Sequence, residues 1–295
     1  MIKKITALFS ALTILVCASC GEGVEQDSSQ PVKHYPVIVG DCEIPAMPQK
    51  VVSLSPSVTD IILAMGLSSK LVGVSSACPN EGGLPLLGSA VLPDCDRIIE
   101  LGTNVVLVSE APSAEDRARL ETHGIKLAVI PFASSLETLN QSYVSVASVF
   151  AGNINGRTNA EVTIARYTVA LENFRGAGGG FRFAFMIDGN SSFTPDTLAS
   201  DILTKLGGTN MSAGTGYKCG ADQIAAKNPD VLFCLKGGKD AVMQNEKLKE
   251  TDAVKAGRVY EVDRALVERQ GEQTEGLIEI LGGAISDRAV SGVSP

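Results

Sequence analysis

The chain has 295 residues, a formal net charge of −8 and 44% hydrophobic residues, enough length to bury a large core in one or two domains. The acidic balance excludes wholesale nucleic-acid binding, which needs a basic face. With His34 and His123 as the only histidines and no tryptophan, a Ser-His-Asp triad or a histidine metal cluster has almost no candidates.

At the N-terminus, Lys3 and Lys4 precede an apolar run from Ile5 to Val16. That run is shorter than the roughly 20 residues that span a bilayer, so residues 1–19 are expected to be a signal peptide. Cys17-Ala18-Ser19-Cys20 resembles a bacterial lipobox with Cys20 as the lipidated residue, although Cys17 stands where Leu is usual. Cleavage as an ordinary signal peptide is the alternative. The polar, acidic Gly21–Gln30 stretch reads as a tether, and residues 20–47 are taken together as anchor and tether. No second apolar segment is long enough to cross a membrane. Cys42, Cys78, Cys95, Cys219 and Cys234 remain. Export permits disulfides, and Cys78 with Cys95 or Cys219 with Cys234 are both open as pairs, but the count is odd. The spacing of these five offers no zinc pattern and no metal site is expected.

Residues 48–134 alternate strands and helices. Lys50–Leu54, Leu71–Val74, Val105–Val108 and Lys126–Ile130 read as buried strands. Ser57 is the expected N-cap of a helix stopped by Gly66, with Asp60 in a capping-box-like place. Short helices follow at Asp96–Leu101 and Glu115–His123. This rhythm predicts a parallel sheet with covered faces.

Residues 135–180 differ. A helix over Leu136–Phe150 meets a break at Gly152–Gly156. Ala160, Ile164, Tyr167, Leu171 and Phe174 then form one apolar stripe. A helix from Arg157 to Arg175 would run about 28 Å, enough to cross between lobes. Gly176–Gly180 is a joint, because it follows a helix and precedes a strand, the reverse of a phosphate-binding glycine loop. Residues 181–295 restart the α/β rhythm, with strands at Phe181–Ile187, Val231–Leu235 and Arg258–Val262. Helices are expected at Leu198–Leu206, Ala221–Lys227, Ala241–Leu248 and Thr274–Ile285. The fold class is therefore α/β: two parallel-sheet lobes, 48–134 and 181–295, joined by a single long helix.

Ligands of parallel sheets gather beyond the C-terminal strand ends. Those ends offer Ser55, Ser57, Ser76, Cys78, Glu110 and Phe132 in the first lobe, and Asn190, Phe193, Tyr217, Lys236 and Arg269 in the second. Hydroxyls and amides suit the polar edges of a small ligand, and aromatics its flat faces. Each serine could equally cap a helix, and each phenylalanine could fill a core. Tyr217 is an aromatic lining candidate, or else a packing residue. His123 ends a helix, where positive charge is favoured.

Pro48-Gln49-Lys50-Val51-Val52-Ser53-Leu54-Ser55-Pro56-Ser57 resembles the opening of the class III (cobalamin, siderophore and haem) periplasmic-binding proteins. Leu67–Cys78 and Cys95–Leu101 are similar to their second-strand and following-helix motifs. Ala221–Ile224 with Asn228–Leu232, and Gly257–Asp263, match the second half. The likeness runs from about Pro48 to about Ile285. It implies two rigid lobes on a helix with the ligand cleft between them, modest closure, and delivery of a metal-chelate nutrient to the permease dimer of an ABC importer; for haem, Tyr217 would be the one placeable axial ligand. It implies no enzyme activity and no resident cofactor. It also implies a monomer, anchored outside the cytoplasm through lipid alone and without nucleic-acid partners. Asp96 and Asp222 match the family's transporter-docking acids, where Glu is usual; both also fall in helix first turns, where the helix dipole favours a negative charge. A degenerate relative, acting as a sensor or interaction lipoprotein without transport, is the second reading.

Overall fold

The computed structural model describes residues 34–177, 179–214 and 219–291, with side chains through Asp287. It opens with a hairpin, β1 (Val37–Val39) and β2 (Cys42–Ile44), paired antiparallel. Val37, Val39, Cys42 and Ile44 point into the core while Ile38 and Glu43 face out. Gly40, at φ +59°, forms the two-residue turn with Asp41. This differs from the expectation of a tether through residue 47. Strict alternation around Gly-Asp buries four apolar side chains, so the ordered lobe begins before Pro48.

The first lobe continues with β3 (Val51–Ser53), α1 (Pro56–Ala64), β4 (Leu71–Val74), α2 (Cys95–Glu100), β5 (Val105–Val108), α3 (Ala114–Thr122) and β6 (Lys126–Val129). Its four strands run parallel in the order β4-β3-β5-β6. Ser55, rather than Ser57, caps α1: its hydroxyl accepts from the Val58 N–H at 3.4 Å, and Pro56 takes the first helical turn.

The next element, α4 (Leu136–Asn173), is two helices in one. Gly152 leaves helical geometry at φ 78°, ψ 171°, and the chain turns back on itself there. Tyr167 lies beside Tyr143, ring centroids 5.9 Å apart, and its hydroxyl donates to Asn140. Residues 27 apart in sequence would be about 40 Å apart along one straight helix, so the limbs are antiparallel. Gly156 permits their contact, since a Cβ there would stand 2.5 Å from the Ser148 Cα. The expected break at 152–156 is thus confined to Gly152. The second limb, 153–173, spans about 31 Å. It starts where Asn153 bonds His34 and Pro36 and ends where Phe174 packs on Gly282.

The second lobe contains β7 (Phe181–Met186), β8 (Ser191–Ser192), α5 (Leu198–Lys205), β9 (Gly208–Asn210), β10 (Cys219–Gly220), α6 (Ala221–Ala226) and β11 (Val231–Leu235). It closes with α7 (Lys239–Gln244), α8 (Asp252–Lys255), β12 (Val259–Val262), α9 (Arg264–Glu268) and α10 (Gln273–Ser291). Strands β9, β7, β11 and β12 are parallel. The two-residue strand β8 lies antiparallel to β7 because the chain returns at once after β7, and β10 pairs antiparallel with β8. One apolar cluster runs from Val51 and Val105 through Tyr143 and Tyr167 to Phe183, Phe233 and Leu277. The described residues from His34 onward accordingly form one compact unit. Among the described residues, no helix is long and apolar enough to cross a membrane.

Candidate functional site

The main cavity, of about 490 Å³, lies between the lobes, within the range of small-molecule sites. The segment after β6 supplies Phe132, Ala133 and Ser134 from the first lobe. The second lobe supplies Ile187, Phe193, Leu198, Leu235 and Val267, all apolar. Asp196, Thr197, Arg264 and Glu268 complete the lining with polar groups. Arg264 donates to Glu268 one turn on, at 2.7 Å. Phe132 is 43% exposed, a large apolar surface left facing the opening. Phe193 packs edge-on against Phe185 at 5.1 Å, and Phe185, Phe233 and Tyr260 continue the row across the sheet. The cavity-lining face of Phe193 is therefore braced from behind by the lobe's own core.

Three polar contacts fix the walls to one another. Gln270, 1% exposed, uses its carboxamide on both backbone groups of Ala133: it accepts from the N–H at 2.7 Å and donates to the C=O at 2.6 Å. Asp60, also 1% exposed, accepts the N–H of Gly271 at 2.8 Å and of Gln273 at 3.3 Å on one carboxylate oxygen. A side chain of α1 in the first lobe thereby caps α10 in the second. Burial pushes the Asp60 carboxyl above its ordinary range, against the pull of those two N–H groups and of Arg269. In the opposite sense, Asp201 of α5 accepts the Leu136 N–H at 2.8 Å, at the start of α4. The approach is close. A Cβ on Gly271 would sit 2.1 Å from the Asp60 carbonyl carbon. None of these partnerships is visible in local sequence pattern, because each joins residues 65 or more apart.

The expected site residues separate into groups. Phe132 and Phe193 face each other's lobes across the cavity. Lys236 and Arg269 adjoin lining residues Leu235 and Glu268; Lys236 is exposed and stands 4.0 Å from Asp263. Ser55, Ser57 and Cys78 are buried and engaged internally. Ser55 and Ser57 share a hydrogen bond of 3.0 Å, and the Cys78 sulfur takes contacts from Thr59 and Ser75 at 3.1 Å. This differs from a cleft role: the three groups are buried, spend their polar atoms on internal partners and do not line the cavity. Ser76 and Glu110 are exposed and Asn190 accepts from Asn245 at 3.2 Å, all away from the cavity lining. Tyr217 and Cys20 lie outside the described residues.

Asp96 is exposed in the first turn of α2 and paired with Arg119 of α3. Asp222 is exposed in the first turn of α6. Cys42, Cys78, Cys95, Cys219 and Cys234 are all buried free thiols, so neither candidate disulfide is formed. Burial, with the Asp116 carboxylate alongside, lifts Cys95 to about 11. Burial, then Glu261, lifts Cys234 to about 11. Thiols held so far from the thiolate form make poor nucleophiles or metal ligands.

Known proteins share this fold. Residues 184–266 match the family described as periplasmic binding protein. An uncharacterised ABC transporter substrate-binding lipoprotein of Bacillus subtilis (strain 168), YvrC, is 27% identical over 94% of this chain and 96% of its own. The haem-binding protein RhuT of Roseiflexus sp. RS-1, in apo form, superposes with a TM-score of 0.67 at 22% identity, over 82% of this chain and 99% of that one. The chain has the periplasmic binding protein fold. The vitamin B12-binding protein BtuF of Vibrio cholerae shares it as well, with a TM-score of 0.68 at 18% identity over 83% of this chain and 99% of that one. The resemblance to class III substrate-binding proteins of ABC importers thus holds in sequence and in fold, and RhuT and BtuF are named for the haem and vitamin B12 they bind.

Proposed function

We propose that this periplasmic-binding-protein chain is an extracytoplasmic, lipid-anchored substrate-binding protein that delivers a metal-chelate nutrient to the permease of an ABC importer. The observation that carries the reading is the 490 Å³ interlobe cavity, with an aromatic from each lobe, Phe132 and Phe193, on its walls. An apolar pocket with a few polar groups suits a chelate that hides its metal and presents flat or oily faces. The lipoprotein relatives and the Cys20 motif support anchoring outside the cytoplasm. Asp96 and Asp222 are the proposed docking acids, each exposed at a helix start.

The test is a thermal-shift screen of the intact protein against cobalamin, cobinamide, haem and several ferric siderophores. A ligand at 100 times its Kd stabilises by about 2.7 kcal/mol, several degrees in a chain this size. One reproducible shift supports the reading. A flat response from a cooperatively melting protein counts against it.

One observation favours a second reading, an interaction lipoprotein that no longer feeds a transporter. Asp96 is engaged by Arg119 on its own lobe, so docking has to compete with that pair. Asp96→Lys combined with Asp222→Lys separates the two. Lost uptake with retained ligand binding supports docking, and unchanged uptake removes it.

A further inference from the structure

A second groove, of about 330 Å³, adjoins the main cavity and shares Phe132 and Ser134 with it. We infer that this groove is a subsite of the cleft that takes an uncharged, hydrogen-bonding arm of the ligand, such as an amide or hydroxyl chain, while the apolar body fills the main cavity. The inference rests on the chelate-binding reading and goes beyond it by adding a site and its chemistry.

The lining decides the chemistry. No residue of the groove carries a formal charge, unlike the main cavity, which holds Asp196, Arg264 and Glu268. An ionic arm entering the groove would lose water without meeting a counter-charge. Thr138 and Ser142 are committed to the first turns of α4, through Ser135 and the Thr138 carbonyl. Ser134, Gln141 and Ser145 also line the groove, and their side chains make no hydrogen bond among the described residues. They leave two hydroxyls and one carboxamide for a neutral polar partner.

The groove is also preformed. Gln270 pins Ala133, and Asp201 and the Ser135–Thr138 capping box pin the start of α4. Phe132 is the shared wall, and its partly exposed ring is placed to lie along a ligand that occupies both spaces.

The experiment compares ferrioxamine B, whose tail ends in an ammonium group, with its N-acetylated form, whose tail ends in a neutral amide. Affinities are measured for the intact protein and for Gln141→Glu. Gln141 is exposed, so the substitution leaves the core untouched. The unaltered protein is expected to prefer the acetylated chelate. Gln141→Glu should shift the affinity ratio toward the ammonium form by roughly fivefold, the effect of two unit charges about 6 Å apart at an effective dielectric of about 60. Ser145→Trp, which fills the groove, should weaken the acetylated chelate about tenfold or more. An unchanged ratio in Gln141→Glu, with both chelates binding, overturns the subsite while leaving chelate binding intact. Binding of neither chelate by the unaltered protein overturns the groove as a subsite for a siderophore arm, while the chelate reading itself stands or falls on the thermal-shift panel of cobalamin, haem and other ferric siderophores.

Discussion

Replacing Gln270 with Leu should cost the protein roughly 2–6 kcal/mol. The side chain is 1% exposed and makes two short hydrogen bonds to the backbone of Ala133, at 2.7 and 2.6 Å. Leucine keeps most of the volume but leaves a buried N–H and a buried C=O without partners, at about 1–3 kcal/mol each. For a chain of this size that is a fall in Tm of about 5–15 °C. Urea denaturation followed by circular dichroism reads the change as a lower midpoint with the slope unchanged. Hydrogen exchange supplies a local readout, because the Ala133 amide should exchange faster in the variant. A loss below about 0.5 kcal/mol, with Ala133 still protected, would refute the claim that Gln270 holds this wall of the cleft.

Three further outcomes follow from the same geometry. Burial raises the folded pKa of Asp60 above its unfolded value near 3.8, so its contribution to stability is fully present below that pH and lost as pH rises through the folded pKa. Asp60→Asn keeps an acceptor for the two N–H groups without titrating; its stability relative to the unaltered chain should therefore rise between pH 3 and pH 7, and urea midpoints that keep a constant gap would contradict this. Gly271→Ala puts a Cβ 2.1 Å from backbone of α1, forcing the two elements apart, and should destabilise by about 1–3 kcal/mol, where an unchanged melt would show the contact to be looser. The five described thiols are buried, with Cys95 and Cys234 lifted to about 11, so alkylation at pH 8 followed by peptide mass spectrometry should label them only after unfolding; rapid labelling of either in the native protein would count against that burial.

Much of the fold is legible in the sequence because its signals are local. Val51–Ser53, Val105–Val108 and Val231–Leu235 are short apolar runs bounded by turn residues, the mark of strands buried on both faces. The Ala160–Tyr167–Phe174 stripe marks the second limb of α4, and the break before it marks the turn at Gly152. The hairpin at Val37–Ile44 carried an equally local signal, alternation about Gly-Asp, hidden by its nearness to the polar leader. The site is less legible. Phe132 and Phe193 could be placed from strand ends, but Ser55, Ser57 and Cys78 sit at strand ends too and are turned inward. What separates them is depth, which depends on how one lobe meets the other. Asp60 reads in sequence as a capping-box residue of its own helix, yet it caps a helix more than 200 residues away. Gln270 has no local pattern at all. Such cross-lobe partners depend on the assembled fold, and no window of sequence contains them.

The most direct test of the account is an equilibrium titration of whichever chelate gives the largest thermal shift, against the unaltered protein and Phe132→Ala. Phe132 is 43% exposed, so its loss leaves the fold intact, while removing an aromatic face from a bound ligand should weaken binding about tenfold or more. That loss, with an unchanged melt in the free protein, is the predicted result. An unchanged affinity would contradict the assignment of the interlobe cavity as the binding site.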